Sequence, residues 1–438
     1  MVRPNNLRAI AGTTAVTTVI QTCSLMSGVI LARALSPESR GEFAAILLWP
    51  SVFASFGVFG LQTVFARVRA NTPGHGHALR KAAWKLTLLL AVVTCSVGIA
   101  ALPFLLPSDK QHLVLPAQIA FLSVPASILN VLIFSIAQGG GNFRAYNAMR
   151  FVFSPAYLVL LLFLWMGAGA GLYVFTVAFV VAALLSALAS DRLLAWTEPQ
   201  RDNLGSVDSV GLLKTAVPYG ASYWASAIYA KLDTIWLSLL ADSKALGMYT
   251  VALSAASLHY SLGQAISSVL FFRVAAYDGP GLSLWLAQRL RKALILNVAL
   301  TGLGLLVIPP LVPLIFGDEF SGSARLVMVL MPAVSFLSIA LIVDESLKAH
   351  GIPGAGLRSK LISGAALSVL AVSLVPEMGG MGIALALAGG AAVQVVALLW
   401  FATRHFDLSW IQLLAFKVVD VQEIASEVLS LWPKKYRL

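Results

Sequence analysis

Two opposite charges stand two residues apart inside an apolar stretch. They are Lys231 and Asp233, within residues 215–241, TAVPYGASYWASAIYAKLDTIWLSLLA. An ionisable group at membrane depth is costly and usually faces a bundle interior or a water-filled cavity. On a helix these two side chains point about 200° apart, so they do not pair with each other. Each needs a partner on another element, or water. Asp233 is therefore a candidate for ion coupling and Lys231 for substrate contact, with an inter-helix polar bond as the alternative for both. Pro218 and Gly220 predict a bend near the start of the stretch, which reads as one wall of a polar passage.

Other groups with chemistry are sparser. His259 lies in a later apolar span, where an imidazole serves either as a proton relay or as a hydrogen-bonded core residue. Asp344 and Glu345 stand at the end of another span; Glu345 is an ion-coupling candidate, and capping with solvation is the alternative. His75 and His77 occupy a Gly-rich loop, and two such ligands do not make a metal site. Cys23 and Cys95 fall inside apolar spans and read as small buried hydrophobes, not as a metal or disulfide framework.

The elements that must position these groups follow from composition. Of 438 residues 59% are apolar and 11% charged, and the mean hydropathy is +0.86. Soluble domains carry roughly a quarter charged residues, so the chain reads as an all-α polytopic membrane protein and soluble α/β folds are excluded. Apolar windows predict about twelve transmembrane helices near residues 10–35, 43–65, 84–106, 113–137, 151–166, 171–189, 215–241, 246–272, 293–316, 326–347, 361–375 and 382–401. The first is too long for a signal-peptide core and is expected to be retained.

The net charge of +11 would suit a nucleic-acid binder, but its placement argues otherwise. Twenty-four of the thirty Lys and Arg fall on one set of faces and five (Arg33, Arg40, Lys110, Lys244 and Arg325) on the other, with Lys231 inside a span. By the positive-inside rule the basic face and both termini are cytoplasmic. The surplus charge is topology, and no nucleic-acid partner is expected.

The two halves resemble each other. A shift of 206 lays LARALSPESRGEFAA, from Leu31, over LSLLADSKALGMYTV, from Leu237, matching Gly41 with Gly247 and Phe43 with Tyr249. It also lays Phe65, Arg67, Val68 and Ala70 on Phe271, Arg273, Val274 and Ala276. A shift of 210 pairs Pro103 with Pro313, Asp109 with Glu319, Gly141 with Gly351 and Arg150 with Lys360. The expected organisation is two repeat-related six-helix lobes, residues 1–190 and 215–403, joined by a cytoplasmic linker at 191–214. Six is even, so the repeats share one orientation about an axis along the membrane normal, as in secondary transporters. Residues 404–438 are expected to form a cytoplasmic interfacial amphipathic helix with a basic tail. Its apolar Trp410, Leu414, Val418 and Val421 oppose Lys417, Asp420 and Glu423, and Lys434, Lys435 and Arg437 would touch anionic headgroups.

Three motifs carry a family resemblance: LARALSPESRGEF from Leu31, KLDTIWLSLLADSKALGMY from Lys231, and PLIFGDEFSGSA from Pro313. Together they resemble the polysaccharide transporter branch of the multidrug/oligosaccharidyl-lipid/polysaccharide exporter superfamily, whose best-known members are O-antigen (Wzx-type) flippases. QGGGNFRAYN, at the exit of the fourth span, is richer in glycine than the family pattern, and the C-terminal helix is not a hallmark of it. The resemblance implies a flippase, not an enzyme. It would move polyprenyl-diphosphate-linked oligosaccharide from the cytoplasmic to the periplasmic leaflet of a bacterial inner membrane by alternating access, for surface or exopolysaccharide assembly. No cofactor is implied beyond proton or sodium coupling. The implied partners are membrane lipids and a polysaccharide polymerase with its assembly machinery.

A diphosphate headgroup needs a basic, hydrated cavity, and guanidinium forks suit its oxygens. On that reading Arg33, Arg67 and Arg273 join Lys231 as substrate-binding candidates, against ordinary positive-inside anchoring for Arg67 and Arg273 and headgroup snorkelling for Arg33. A cation-coupled drug exporter would share the fold, and an acidic rather than basic cavity would favour it. A glycan-assembly enzyme would be expected to expose a large external loop, and the longest connection is the linker on the basic face.

Overall fold

The computed structural model describes residues 4–72, 74–167, 171–197, 207–257 and 281–415, together with residues 260, 263, 264, 266, 267, 270, 274, 419, 420, 422 and 423. The protein is all-helical over the described residues. This is what an apolar bilayer demands, because a helix satisfies its own backbone polar groups within one segment. The first half contributes α1 Pro4–Ala34, α2 Pro37–Val58, α3 Leu61–Asn71, α4 Gly76–Leu105, α5 Val114–Ala120, α6 Val124–Gly139, α7 Phe143–Gly167 and α8 Leu172–Thr197. The second half contributes α9 Ser209–Tyr229, α10 Leu232–Leu240, α11 Ser243–Ala256, α12 Leu282–Phe316, α13 Ser323–Ala349, α14 Pro353–Met378, α15 Gly380–Phe406 and α16 Trp410–Leu414.

Among the described residues ten spans are long and apolar enough to cross a membrane. The expected seventh is the series α9–α10. The expected eighth is α11 over its first half, and the remainder lies outside the described residues, apart from isolated positions. Burial sorts the ten: 61% of the apolar window of α2 and 67% of that of α13 are buried, against 17% for α4 and for α12. The first pair is central and the second presents most of its apolar surface to lipid.

Several sequence expectations change in position. The second span does not run unbroken over 43–65: α2 stops at Phe59 (φ 50°) and Gly60 (φ 74°), and α3 restarts at Leu61. Gly60 supplies the left-handed backbone, and Phe59 tolerates it while its ring packs against Trp224 at 5.1 Å. In the seventh span α9 carries Pro218 within it, and the break falls instead at Ala230–Lys231. No Gly or Pro marks that place. Tyr229 is tied to α14 and α15, and Asp233 to α11, so two anchors pull neighbouring turns onto different partners.

The linker is shorter than 191–214. Helix α8 continues to Thr197, with Asp191 buried between the Arg80 guanidinium (2.6 Å to each carboxylate oxygen) and Trp84 Nε1 (2.8 Å). Residues 198–206 lie outside the described set. The C-terminal segment also departs from expectation. Helix α16 is only five residues long, closed at its start by a Ser409–Gln412 capping box. Asp420, expected on the solvated face, turns inward to Arg291 (2.8 Å), while Glu423, still partly exposed, reaches Lys292 (2.7 Å), both in the third turn of α12. The Arg291 guanidinium takes the place of water at the Asp420 carboxylate. Lys434, Lys435 and Arg437 lie outside the described residues.

The two halves meet where α2 crosses α11. A Cβ on Gly41 would lie 1.7 Å from the Ser243 carbonyl oxygen, and one on Gly247 1.8 Å from that of Pro37. Only glycine permits so close a backbone approach. The contact is reciprocal: residue 41 meets 243 while 247 meets 37, and the shift of 206 relates both pairs. That is the pattern of a twofold axis passing between the helices. The helix starts match as well, since Ser36 caps α2 and Asp242 caps α11, each side chain accepting a backbone N–H three residues on.

Candidate functional site

A cavity of ≈ 460 Å³ opens among α9, α10, α11, α13, α14 and α15, all in the second half. That size falls in the range of roughly 300–1,000 Å³ usual for ligand sites. Apolar side chains from α11, α13 and α15 form much of its wall, and into it project three carboxylates, Asp233, Asp344 and Glu345, and two lysines, Lys348 and Lys360.

Asp344 is the hub, 2% exposed. Its Oδ2 accepts from Lys348 Nζ, one helical turn on, at 2.9 Å and lies 3.8 Å from Lys360 Nζ on α14. Lys348 also reaches Glu345 at 2.9 Å, and Lys360 reaches Ser226 on α9 at 3.4 Å. The Asp344 carboxylate fits against α14 because Gly356 has no side chain: a Cβ there would lie 2.0 Å from Oδ1, which has no hydrogen-bond partner. One carboxylate thus gathers two ammonium groups from two helices.

Asp233, in the first turn of α10, is also buried and accepts a 2.5 Å bond from the Tyr249 hydroxyl on α11. Tyr229, at the end of α9, donates instead to Gln394 Oε1 at 2.7 Å and lies 2.8 Å from Ser363 Oγ. A second cavity of ≈ 200 Å³ shares Ser257 and Tyr260 with the first and extends to Gln21 and Ser24 on α1. The polar space therefore reaches from the second half to the first.

The other sequence candidates lie elsewhere. Lys231 is exposed at the break before α10 and does not line the cavity. Arg67, on α3, donates to the Tyr219 hydroxyl at 3.3 Å. Arg33 closes the opposite end of the bundle, its Nε on the Ile315 carbonyl (2.9 Å) and its Nη2 on that of Leu314 (2.5 Å), at the end of α12. Arg273 and His259 lie outside the described residues. Glu345, an ion-coupling candidate from the sequence with capping and solvation as the alternative, lines the cavity beside Asp344, whereas Lys348 and Lys360 were counted only as topology signals. The spacing of 344 and 348 (i, i+4) was a usable sign of a pair.

Long apolar helices, a reciprocal glycine crossing between the halves and a polar cavity inside an apolar bundle define a polytopic membrane protein. The fold agrees with solved structures. The chain superposes on the lipid II flippase MurJ in an inward closed conformation with a TM-score of 0.75, at 15% identity over 96% of this chain and 93% of that one. On a multidrug resistance MATE family transporter in its inward-facing conformation the score is 0.71, at 14% identity over 88% and 94%. For a MOP superfamily transporter from Pyrococcus furiosus, described by the reverse polarity of its binding pocket, it is 0.66, at 15% identity over 92% and 96%.

The sequence profile of the polysaccharide biosynthesis protein family matches residues 7–276, and the chain belongs to that family. A curated relative, the probable low-salt glycan biosynthesis flippase Agl15 of Haloferax volcanii, is 24% identical over 180 residues. The match covers 38% of this chain and 36% of that protein, little more than a third of its length.

Proposed function

We propose that the protein flips a polyprenyl-diphosphate-linked oligosaccharide from the cytoplasmic to the periplasmic leaflet of a bacterial inner membrane, for surface or exopolysaccharide assembly. Two six-span lobes, residues 1–190 and 215–403, would alternate about the α2–α11 axis. The observation that carries this reading is the Asp344 cluster. It holds two partly buried lysines in the lining of a ligand-sized cavity, where an entering diphosphate would compete with Asp344 for their ammonium groups. Family membership and the flippase relatives support the same class, a transporter without catalytic residues.

Direction and coupling belong to the same proposal. The basic face is cytoplasmic by the positive-inside rule, so a cysteine placed at Gly169 should label from outside intact cells; labelling only after permeabilisation would remove the topology. Asp233, buried against Tyr249, is the group best placed to exchange a proton or sodium ion for that hydrogen bond. Three carboxylates against two lysines favour one second reading, a cation-coupled exporter of small molecules. Deleting the gene and analysing lipid-linked intermediates separates the two: accumulation of a glycan-loaded polyprenyl diphosphate on the cytoplasmic side supports the flippase, and an unchanged lipid profile sinks it.

A further inference from the structure

Lys110 occupies the 3-10 turn Ser108–Leu113, at the sparsely charged end of the bundle, and its side chain is 1% exposed. Its ammonium donates at 2.7 Å to the Ser238 carbonyl and at 2.6 Å to the Ala241 carbonyl. Both belong to the C-terminal end of α10, where carbonyls lack helical partners and the helix dipole is negative. Asp109 lies 3.8 Å away but is 58% exposed. A cation from the first half is thus buried on the backbone of a helix in the second half.

Helix α10 is suited to transmit what happens at that end. It is nine residues long, on the order of 13 Å. The chain breaks before it at Lys231 and leaves helical geometry after it at Ala241 (φ −132°, ψ 167°). Its other end carries Asp233, which lines the cavity and holds Tyr249. One short rigid rod therefore joins Lys110 to the cavity carboxylate. The clasp is also reversible, because water can replace both partners if the halves separate there, hydrating the ammonium and the two carbonyls together.

We infer that Lys110 is a positioning residue linking closure of the sparsely charged end to the state of Asp233. With Lys110 seated, α10 is held at the depth that keeps Asp233 on Tyr249; parting of the halves withdraws Lys110 and frees α10 to shift the carboxylate. The inference rests on the alternating-access reading above. It adds a named link between the two ends that the reading does not require.

The test measures distances between spin labels at Ser108 and Ser321, both exposed and in opposite halves, in the full chain in nanodiscs with Cys23 and Cys95 replaced. Lys110→Met should raise the ratio of open to closed distances by on the order of tenfold or more, the weight of a charge-assisted hydrogen bond, and Lys110→Arg should restore it. Lys110→Gln serves if the methionine variant does not insert. The decisive measurement is a double-mutant cycle with Asp233→Asn. The two sites are about the length of α10 apart and share no hydrogen-bond partner, so independent effects would add. A ratio in the double variant that departs from the product of the single effects supports the link. Additive effects, or no response to Lys110→Met and Lys110→Gln, overturn it while leaving alternating access standing. A wild-type protein with one distance under all conditions would overturn both.

Discussion

The cations at the two ends of the bundle are held in different ways. In the cavity Lys348 and Lys360 rest on carboxylates, charge against charge. At the sparsely charged end Lys110 and Arg33 rest on backbone carbonyls that finish α10 and α12. A carbonyl is neutral, so a cation leaving it for water strands no opposite charge. A lysine drawn from Asp344 leaves a buried anion behind, and the exchange is favourable only when another anion takes its place. The carbonyl arrangement suits a contact that opens and closes with water as the substitute. The carboxylate arrangement suits a site that waits for an anionic ligand.

This comparison can be broken in order of expected effect. The largest should come from the crossing that holds the carbonyl-capped end together. Gly41→Ala and Gly247→Ala each place a methyl inside the contact radius of a backbone oxygen, so the helices must separate. Overpacking of this kind costs about 2 kcal/mol or more, enough for a tenfold shift away from the closed state, and transport by either variant should fall at least that far. Wild-type label distances across this end would show that the close approach is dispensable.

Next comes Asp344→Asn, which keeps the shape but removes the charge shared by two lysines. Lys348 keeps Glu345, so the loss is expected near about 1–3 kcal/mol, read as a lowered melting temperature in detergent. If Asp344 serves only to aim the lysines, affinity for a diphosphate lipid should rise as stability falls. A fall in both would make the carboxylate part of the binding set.

Asp233→Asn comes third. It preserves shape while deleting a charge buried against Tyr249, and should insert normally, transport poorly and lose dependence on the proton or sodium gradient. Transport at the wild-type rate with unaltered ion dependence would make Asp233 a structural partner of Tyr249. The smallest effect belongs to Arg33→Ala. The residue is exposed and its acceptors can turn to water, so a change under about 1 kcal/mol in the open–closed balance is expected, with Arg33→Lys closer to wild type. A larger loss of headgroup binding than of closure would return Arg33 to the substrate-binding candidates.

Much of the scaffold was legible because it depends on local physics. Hydropathy located the ten long spans found among the described residues, and the shift of 206 paired Gly41 with Gly247, the two residues that touch the opposite helix across the twofold axis. The cavity was less legible. Asp233 stood out as a charge inside an apolar stretch, but its partner Tyr249 is on another helix and looked like any span aromatic. Lys348 and Lys360 sit where the positive-inside rule already explains a lysine, so nothing marked them as inward-facing. Gly356, which makes room for Asp344, is one glycine among 34 in the chain. The break before Asp233 was invisible because tertiary anchors, not a breaker residue, set it.

The reciprocal crossing of α2 and α11 also bears on ancestry. A contact in which 41 meets 243 while 247 meets 37 can be made by two identical half-length chains, and six spans in each would insert them in the same sense. Tandem fusion of such a homodimer needs only a connection along one face. Once the copies share a chain, a change on one side of the axis is no longer imposed on the other. Phe43 and Tyr249 occupy corresponding positions under the shift of 206, as do Ser27 and Asp233. In the first half that pair is a hydrocarbon ring and a serine whose hydroxyl is spent on its own helix. In the second it is a hydroxyl bonded to a carboxylate. Duplication supplied the symmetric frame, and loss of identity between the copies let one of them become acidic.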